Sequence, residues 1–365
     1  MISCLAEGDF ANKGRLILQN PLAWVLPLFF VLHVIGVFYS DNVSNAWSNI
    51  DKKVAFAFVP LIVVSAKPFT RDEIRWVMWL FAGACFAGSL ICLFNAMFLS
   101  EGDWWLRASY VDLAAGIGIH PTYLSLYLLV SILIVFKTIK NQWMSAALII
   151  YFLVFIVFLS SRIVIVSTAL VVIAVAISNS RRNLMIACMA IMVIALFANR
   201  VSFYRNVQQY TKENFSLPPA AMADNAITIR MSLLWLSIHA IREVNPIFGT
   251  GTGDVNDTIA ALQDRYNIHN ILNTSDPHNQ YLHTYIALGT VGLLALLAVF
   301  LTPLWMLMKQ REFLVASVII VFMLISLTES LLELQKGIVL FTLGISVVGN
   351  QMKEWRFTTQ ELKYA

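Results

Sequence analysis

Three short stretches of this sequence carry side chains of the kinds that bind phosphate or move protons. The first is Ser160-Ser161-Arg162, a tight link between two apolar runs. A guanidinium presents a rigid fork of donors that fits phosphate oxygens. An Arg at a helix end also works as an anchor, with its stem in apolar surroundings and its head at the interface. The second is Arg230, the lone charge near the start of the apolar stretch Ile227–Ile241, which runs on to Asn245-Pro246 and Gly249-x-Gly251-x-Gly253. A cation at a helix N-terminus opposes the helix dipole, so this position suits a phosphate ligand, or a solvated or headgroup-facing Arg. The glycines do not match the dinucleotide fingerprint, and no strand–helix unit surrounds them; they read as a flexible turn rather than a nucleotide site. The third stretch is Asp276-Pro-His-Asn-Gln-Tyr-Leu-His283. Histidine exchanges the roles of acid and base near neutral pH, and here two histidines crowd together with Asp276, Asn279 and Tyr281. His278 and His283 are five apart and do not stack on one helix face, and HExxH and CxxC patterns are absent, so no metal is expected. In a fourth, lesser stretch, His120-Pro121-Thr122-Tyr123, Pro121 suits a first helical turn, and His120 reads as an interface cap or as a lining residue of the same cavity.

The elements that position these residues follow from composition. Of 365 residues, 59% are hydrophobic and 13% charged, with mean hydropathy +0.74. Soluble domains carry about 25% charged residues, so lipid must solvate part of this chain. The net charge of +4 is modest and the basic residues are scattered, which excludes nucleic acid as a partner class and leaves membrane lipid. Cys4, Cys85, Cys92 and Cys188 show no paired spacing and read as small buried hydrophobes. No cleavable signal peptide is evident; the apolar run that begins near Pro21 reads as a span.

A helix crosses a bilayer in about 20 residues, and backbone inside lipid must be bonded within its own segment. The expected fold is therefore all-α: a polytopic membrane protein forming a single membrane domain over 1–365. Ten candidate spans lie at 20–40, 53–66, 75–99, 119–136, 142–160, 163–179, 183–199, 283–308, 312–328 and 337–349. With the N-terminus inside, the cytoplasmic segments hold fourteen Lys and Arg and the short outer loops five, Lys52 and Lys53 among them. That bias places both termini inside. A long loop at 200–282, between spans seven and eight, then lies outside and carries short helices, and all four chemical stretches fall at the outer face.

His278-Asn279, a nine-residue spacer and Gly289-Thr-Val-Gly292 resemble the signature of the O-antigen ligase family. Ser161-Arg162 opening a span is similar to that family too, as is Arg230 before an apolar helix that ends in Asn-Pro-Ile-Phe-Gly-Thr-Gly. Order and spacing agree from about residue 40 to the end. The resemblance implies an enzyme that moves polysaccharide from undecaprenyl pyrophosphate to a sugar hydroxyl of the lipid A core at the periplasmic face of the inner membrane. It implies no cofactor, metal or nucleotide sugar. Arg162 and Arg230 would hold the pyrophosphate, His278 would accept or orient the acceptor proton, and Asn279, His120 and Tyr281 would support the site. Gly289 and Gly292 would allow close helix packing behind it. The same superfamily contains O-antigen polymerases, whose acceptor is another lipid-linked glycan. Family members commonly have more spans than the ten counted here, consistent with a missing N-terminal hairpin or a misassigned start codon.

A transporter or flippase would show charges buried at mid-membrane along a path and broken helices at matching places in two halves. Few mid-span charges are present, and polar groups cluster at outer ends, which favours a surface-facing enzyme over a conduit or a purely structural membrane protein.

Overall fold

The structure, a computed structural model, describes residues 10–99, 110–159, 161–178, 226–266, 268 and 275–364. Its α-helices, in chain order, are α1 (Phe10–Gln19), α2 (Leu22–Val37), α3 (Val43–Ser65), α4 (Arg71–Phe94), α5 (Tyr110–Ala114), α6 (Pro121–Thr138) and α7 (Gln142–Phe158). There follow α8 (Arg162–Ser178), α9 (Ala226–Glu243), α10 (Val255–Arg265), α11 (Gln280–Lys309), α12 (Phe313–Ile325) and α13 (Gln335–Tyr364). A π-helical turn, Asn95–Leu99, extends α4, and a 3₁₀ turn, Leu331–Glu333, precedes α13. Among the described residues there is no strand, only an isolated bridge between Asn245 and Gly249, so the regular structure of these residues is all-helical, as expected.

Nine of the ten apolar runs fall on helices, and the run 183–199 lies outside the described residues. By length and apolarity, Arg71–Phe98, Pro121–Thr138 and Gln280–Lys309 suffice to cross a bilayer, and a fourth span arises if Lys13–Gln19 and Leu22–Val37, bent by 79°, count as one. Helix α3 is the clearest departure in boundary: it begins ten residues before the apolar run at 53–66. Asn42 caps it by accepting from the Asn45 amide at 3.0 Å, while Asn45 and Asn49 donate to the carbonyls of Gly253 and Thr252. These partners satisfy a polar half-helix that hydrophobicity alone does not reveal. Elsewhere the starts are legible as caps: Thr70 and Glu73 form a capping box on α4, and Asn141 caps α7.

The chain divides into two compact units. One comprises Thr70–Asn214 and Gln310–Ile325; in it α6 packs against α4 and α7, and α8 against α12. Cys85 and Cys92 are buried and free there. The other comprises Met1–Phe69, Phe215–Lys309 and Ser326–Ala365. Its axis is α3, packed between α2 and α13, with α11 along α2. Phe29 and Phe56 meet edge-to-face at 5.4 Å inside this contact, and Asn350 ties α13 to the end of α3 through the Val63 and Ala66 carbonyls.

Helix α11 is broken at Gly289 (φ 60°, ψ −155°). An unbroken helix would bond the amides of residues 290 and 291 to the carbonyls of 286 and 287. Here the 246–251 segment takes both sides of the gap. Thr250 and Gly251 donate to the Ile286 and Ala287 carbonyls at 2.9 Å each, and Thr290 and Val291 donate to those of Pro246 and Ile247 at 2.9 and 3.3 Å. Two lost helical bonds are thus replaced by four between segments. Gly289 accordingly does not serve close packing of a continuous helix; it breaks one to admit another chain segment. A Cβ on Gly289 would lie 2.3 Å from the Ile247 carbonyl carbon, and one on Gly249 (φ 70°) 2.4 Å from the Ile286 oxygen. The glycine-rich turn is correspondingly tethered rather than flexible: the Asp41 and Asn42 amides donate to the Asp254 carboxylate at 2.9 and 2.7 Å, and Thr252 donates to the His33 carbonyl at 2.6 Å.

The same unit buries an ion pair. Lys53, counted above among outer-loop cations, is fully buried in α3 and pairs with Glu333. It does not face water, because its partner and the surrounding helices enclose it.

Two stability predictions follow from these contacts. Gly289→Ala combines a backbone conformation open essentially only to glycine with a steric clash, and should cost about 1–3 kcal/mol or more; Gly344→Ala, whose Cβ meets nothing within 4 Å, should be neutral or stabilising. The apparent melting temperature of the detergent-solubilised protein separates them, and an unchanged value for Gly289→Ala would refute the account of the break. Lys53→Met strands a buried carboxylate and should cost about 3–5 kcal/mol. Combining it with Glu333→Gln should recover part of that loss in the same assay.

Candidate functional site

The loop before α11 is built to display His278. Asn279 caps the helix, its Oδ1 accepting from the Tyr281 and Leu282 amides at 3.0 and 3.1 Å, and its amide group donates to the Leu327 carbonyl at 3.0 Å. Asp276 closes the preceding turn, its Oδ2 accepting from the His278 amide at 3.0 Å and from Ser330 Oγ at 2.9 Å. Between them His278 adopts φ 47°, a left-handed conformation that costs a non-glycine residue about 1–2 kcal/mol. The bonds on either side hold it there.

Residues 326–333 wrap this loop. The Gln280 amide donates to the Ser326 carbonyl at 2.8 Å, and Gln280 Oε1 accepts from the Leu332 amide at 2.7 Å. Glu329 is thereby carried against His278. Its Oε2 lies 3.2 Å from His278 Nδ1, and its Oε1 accepts from Arg230 Nη2 at 2.5 Å. One carboxylate thus joins two basic groups from different elements: Arg230 from α9 and His278 from the loop before α11. The Glu329 side chain is 7% exposed, against 39% for Arg230 and 29% for His278. The carboxylate is the covered member, and the two groups it holds each keep a face for a ligand.

A second layer lies beneath. His283 Nε2 is 3.9 Å from Asp276 Oδ1 and its Nδ1 is 3.3 Å from Glu333 Oε1. Glu333 also accepts from Gln280 Nε2 at 2.8 Å and pairs with Lys53. Burial by itself would raise the Glu333 carboxyl, but His283, Lys53 and His33 outweigh it and hold its pKa at about 2. Acidic and basic groups therefore alternate from Glu329 through His278, Asp276, His283 and Glu333 to Lys53. At the exposed end, the hydrogen bond with Glu329 is the largest influence on His278 and raises its pKa above 6.5; the charges of Glu329 and Asp276 add to this, and burial and Arg230 oppose it.

The neutral His278 ring, facing a carboxylate through Nδ1, carries its proton there and leaves Nε2 as the free acceptor. Arg230 retains donors beyond the one spent on Glu329. The arrangement can accept a proton and bind an anion side by side.

The residues singled out from sequence divide as follows. His278 and Arg230 are brought together through Glu329. Asn279 is the helix cap beside His278. Tyr281 lies on the first turn of α11, its ring 6.3 Å from that of Phe300. His120 caps α6, accepting from the Thr122 amide at 3.4 Å, and meets Tyr123 edge-on. Arg162 is the first residue of α8; its side chain lies outside the described residues. Both belong to the Thr70–Asn214 part of the chain.

Sequence reasoning missed Glu329, Glu333 and Lys53. The available signal was Thr328-Glu-Ser-Leu-Leu-Glu333, two acids four apart in an otherwise apolar stretch.

No curated protein matches the chain. Residues 146–297 match the family model described as O-antigen ligase; Lys53, Glu329 and Glu333 lie outside the matched segment. Arg162, Arg230, His278 and the Gly289 break lie within the segment that is similar to that family.

Proposed function

We propose that this protein transfers a glycan from undecaprenyl pyrophosphate to a sugar hydroxyl of a lipid A core, at the periplasmic face of the inner membrane. The observation that carries the reading is the joining of His278 and Arg230 by one buried carboxylate, within a segment similar to O-antigen ligases. A proton acceptor beside an anion ligand is what displacement of a pyrophosphate by a hydroxyl requires.

In the reaction, His278 Nε2 takes the acceptor hydroxyl's proton as its oxygen attacks the anomeric carbon. The new carbon–oxygen bond forms opposite the breaking bond to pyrophosphate, so the anomeric centre inverts. Negative charge accumulates on the departing pyrophosphate and is met by Arg230. Arg162 is assigned the same role by resemblance alone. General-base assistance of this kind is worth about 10²–10⁴ in rate, and one preorganised donor at a developing anion about 10²–10³. Glu329 holds the imidazole in the correct tautomer and stabilises the imidazolium that forms, the part a carboxylate plays behind the histidine of a hydrolase triad.

Complementing a strain that lacks its own copy of this chain tests the reading, with lipopolysaccharide ladders read at matched membrane levels. The wild type should restore the ladder, and His278→Ala and Arg230→Gln should each reduce it by about 100-fold or more. Full ladders from both variants would remove the assigned site. Single-unit glycans in the deletion strain would identify a polymerase instead.

A pH profile adds a second test. The base must be neutral, so transfer should fall as pH drops through the His278 pKa. Glu329 raises that value; Glu329→Gln should therefore move the acidic limb of the initial-rate profile to lower pH, as well as slowing the plateau. A limb that stays in place would mean that His278 is not the titrating group.

A further inference from the structure

Glu329 carries one negative charge and engages Arg230 and His278 at once. Arg230 holds Oε1 at 2.5 Å and His278 holds Oε2 at 3.2 Å, and with its side chain 7% exposed water can do little to supply a substitute counter-charge. A bidentate phosphate is a better partner for a guanidinium than one oxygen of a carboxylate whose other oxygen is engaged by His278. The side chain with the greater exposure, Arg230, is therefore the one that an arriving anion can draw off.

Resting on the glycan-transfer reading, we propose that Glu329 is a hand-over residue: the donor's pyrophosphate takes Arg230 from it, and the whole carboxylate then passes to His278, so that the base reaches full strength only in a site that already holds a donor. The charged groups that face His278 set the sign of the effect. Asp276, from its own loop, and Glu329, from the segment after α12, favour the protonated ring, and Arg230, from α9, opposes it. His283 and Glu333 lie behind Asp276 and stay in place throughout. Drawing Arg230 onto an anion offsets the opposing charge of Arg230 and frees Glu329 Oε1 from it, and both changes strengthen the base. In the empty site, Arg230 keeps the ring from being protonated prematurely. Glu329 is thus a positioning residue acting through His278, and ordered use of the two substrates follows: donor first, then the acceptor hydroxyl.

The test uses the full chain in detergent micelles, labelled with ¹³C and ¹⁵N at histidine, with inorganic pyrophosphate as the probe. His278→Gln assigns the His278 resonance. Saturating pyrophosphate should raise the His278 titration midpoint by about one pH unit and increase the share of the Nδ1–H tautomer. Arg230→Gln should raise the midpoint without pyrophosphate. Glu329→Gln should lower it and lose most of the pyrophosphate-induced rise. An unchanged rise in Glu329→Gln would mean that the anion acts on His278 directly and would overturn the hand-over, as would a wild-type midpoint that pyrophosphate does not move. Where Glu329→Gln yields no folded protein, Glu329→Asp replaces it; too short to span both partners, it should keep only part of the rise, and a full rise overturns the proposal. A flat titration with normal ladders sinks the hand-over alone, whereas intact titrations with no ladder sink the glycan-transfer reading.

Discussion

Everything near the candidate site depends on how the chain satisfies a deliberate gap in α11. At Gly289 two carbonyls and two amides leave the helix ladder, and inside an apolar bundle each would cost several kcal/mol if unpaired. The 246–251 segment meets all four. Since that segment directly follows α9, the repair also fixes the end of α9 against the middle of α11. Arg230 rides on α9 and His278 stands at the head of α11, so a backbone constraint some distance from the chemistry helps decide that the two can share one carboxylate. The glycine-rich turn and the Gly-x-x-Gly of α11 are thus two halves of one device.

The second constraint is electrostatic. Glu329, Glu333 and Lys53 are largely enclosed, and an enclosed charge is tolerable only when paired and hydrogen-bonded. Glu333 meets this with Lys53, Gln280 and His283, Glu329 with Arg230 and His278. The two carboxylates lie on one short segment, residues 326–333, that also bonds Gln280 and Asn279 through its backbone. The head of α11 is therefore held by charge and by main-chain bonds together. That dual hold sustains the positive φ of His278, a conformation that a loosely tethered loop would relax.

The consequence proposed for function is an imidazole whose basicity is set by what else its carboxylate is asked to do. A histidine alone at a membrane surface titrates near its ordinary value whatever the site contains. In the proposed hand-over, coupling through Glu329 to an anion ligand would make it responsive to occupancy, as a transferase that must not activate a hydroxyl, or water, before its donor arrives would require.

Local chemistry explains what was legible in the sequence. Apolar runs must become helices because lipid offers no backbone partners. His278 and Arg230 stood out because each is a polar group at the edge of an apolar stretch. What depended on long-range pairing was hidden. The polar first half of α3 is helical because Asn45 and Asn49 meet carbonyls two hundred residues away, and Lys53 reads as an outer-loop cation until Glu333 is seen beside it. Gly289 reads as a packing glycine until the 246–248 backbone is found where its side chain would be. Glu329 shows only as one of two acids four apart: its place in the site lies in being within reach of two basic groups that its own neighbours in sequence do not include. By itself the sequence determined the apolar helices and the side chains of a type able to do chemistry, because those follow from side-chain type and spacing. Only the tertiary structure decided which of them share a charge, because a buried carboxylate must find its partners wherever the folded chain places them.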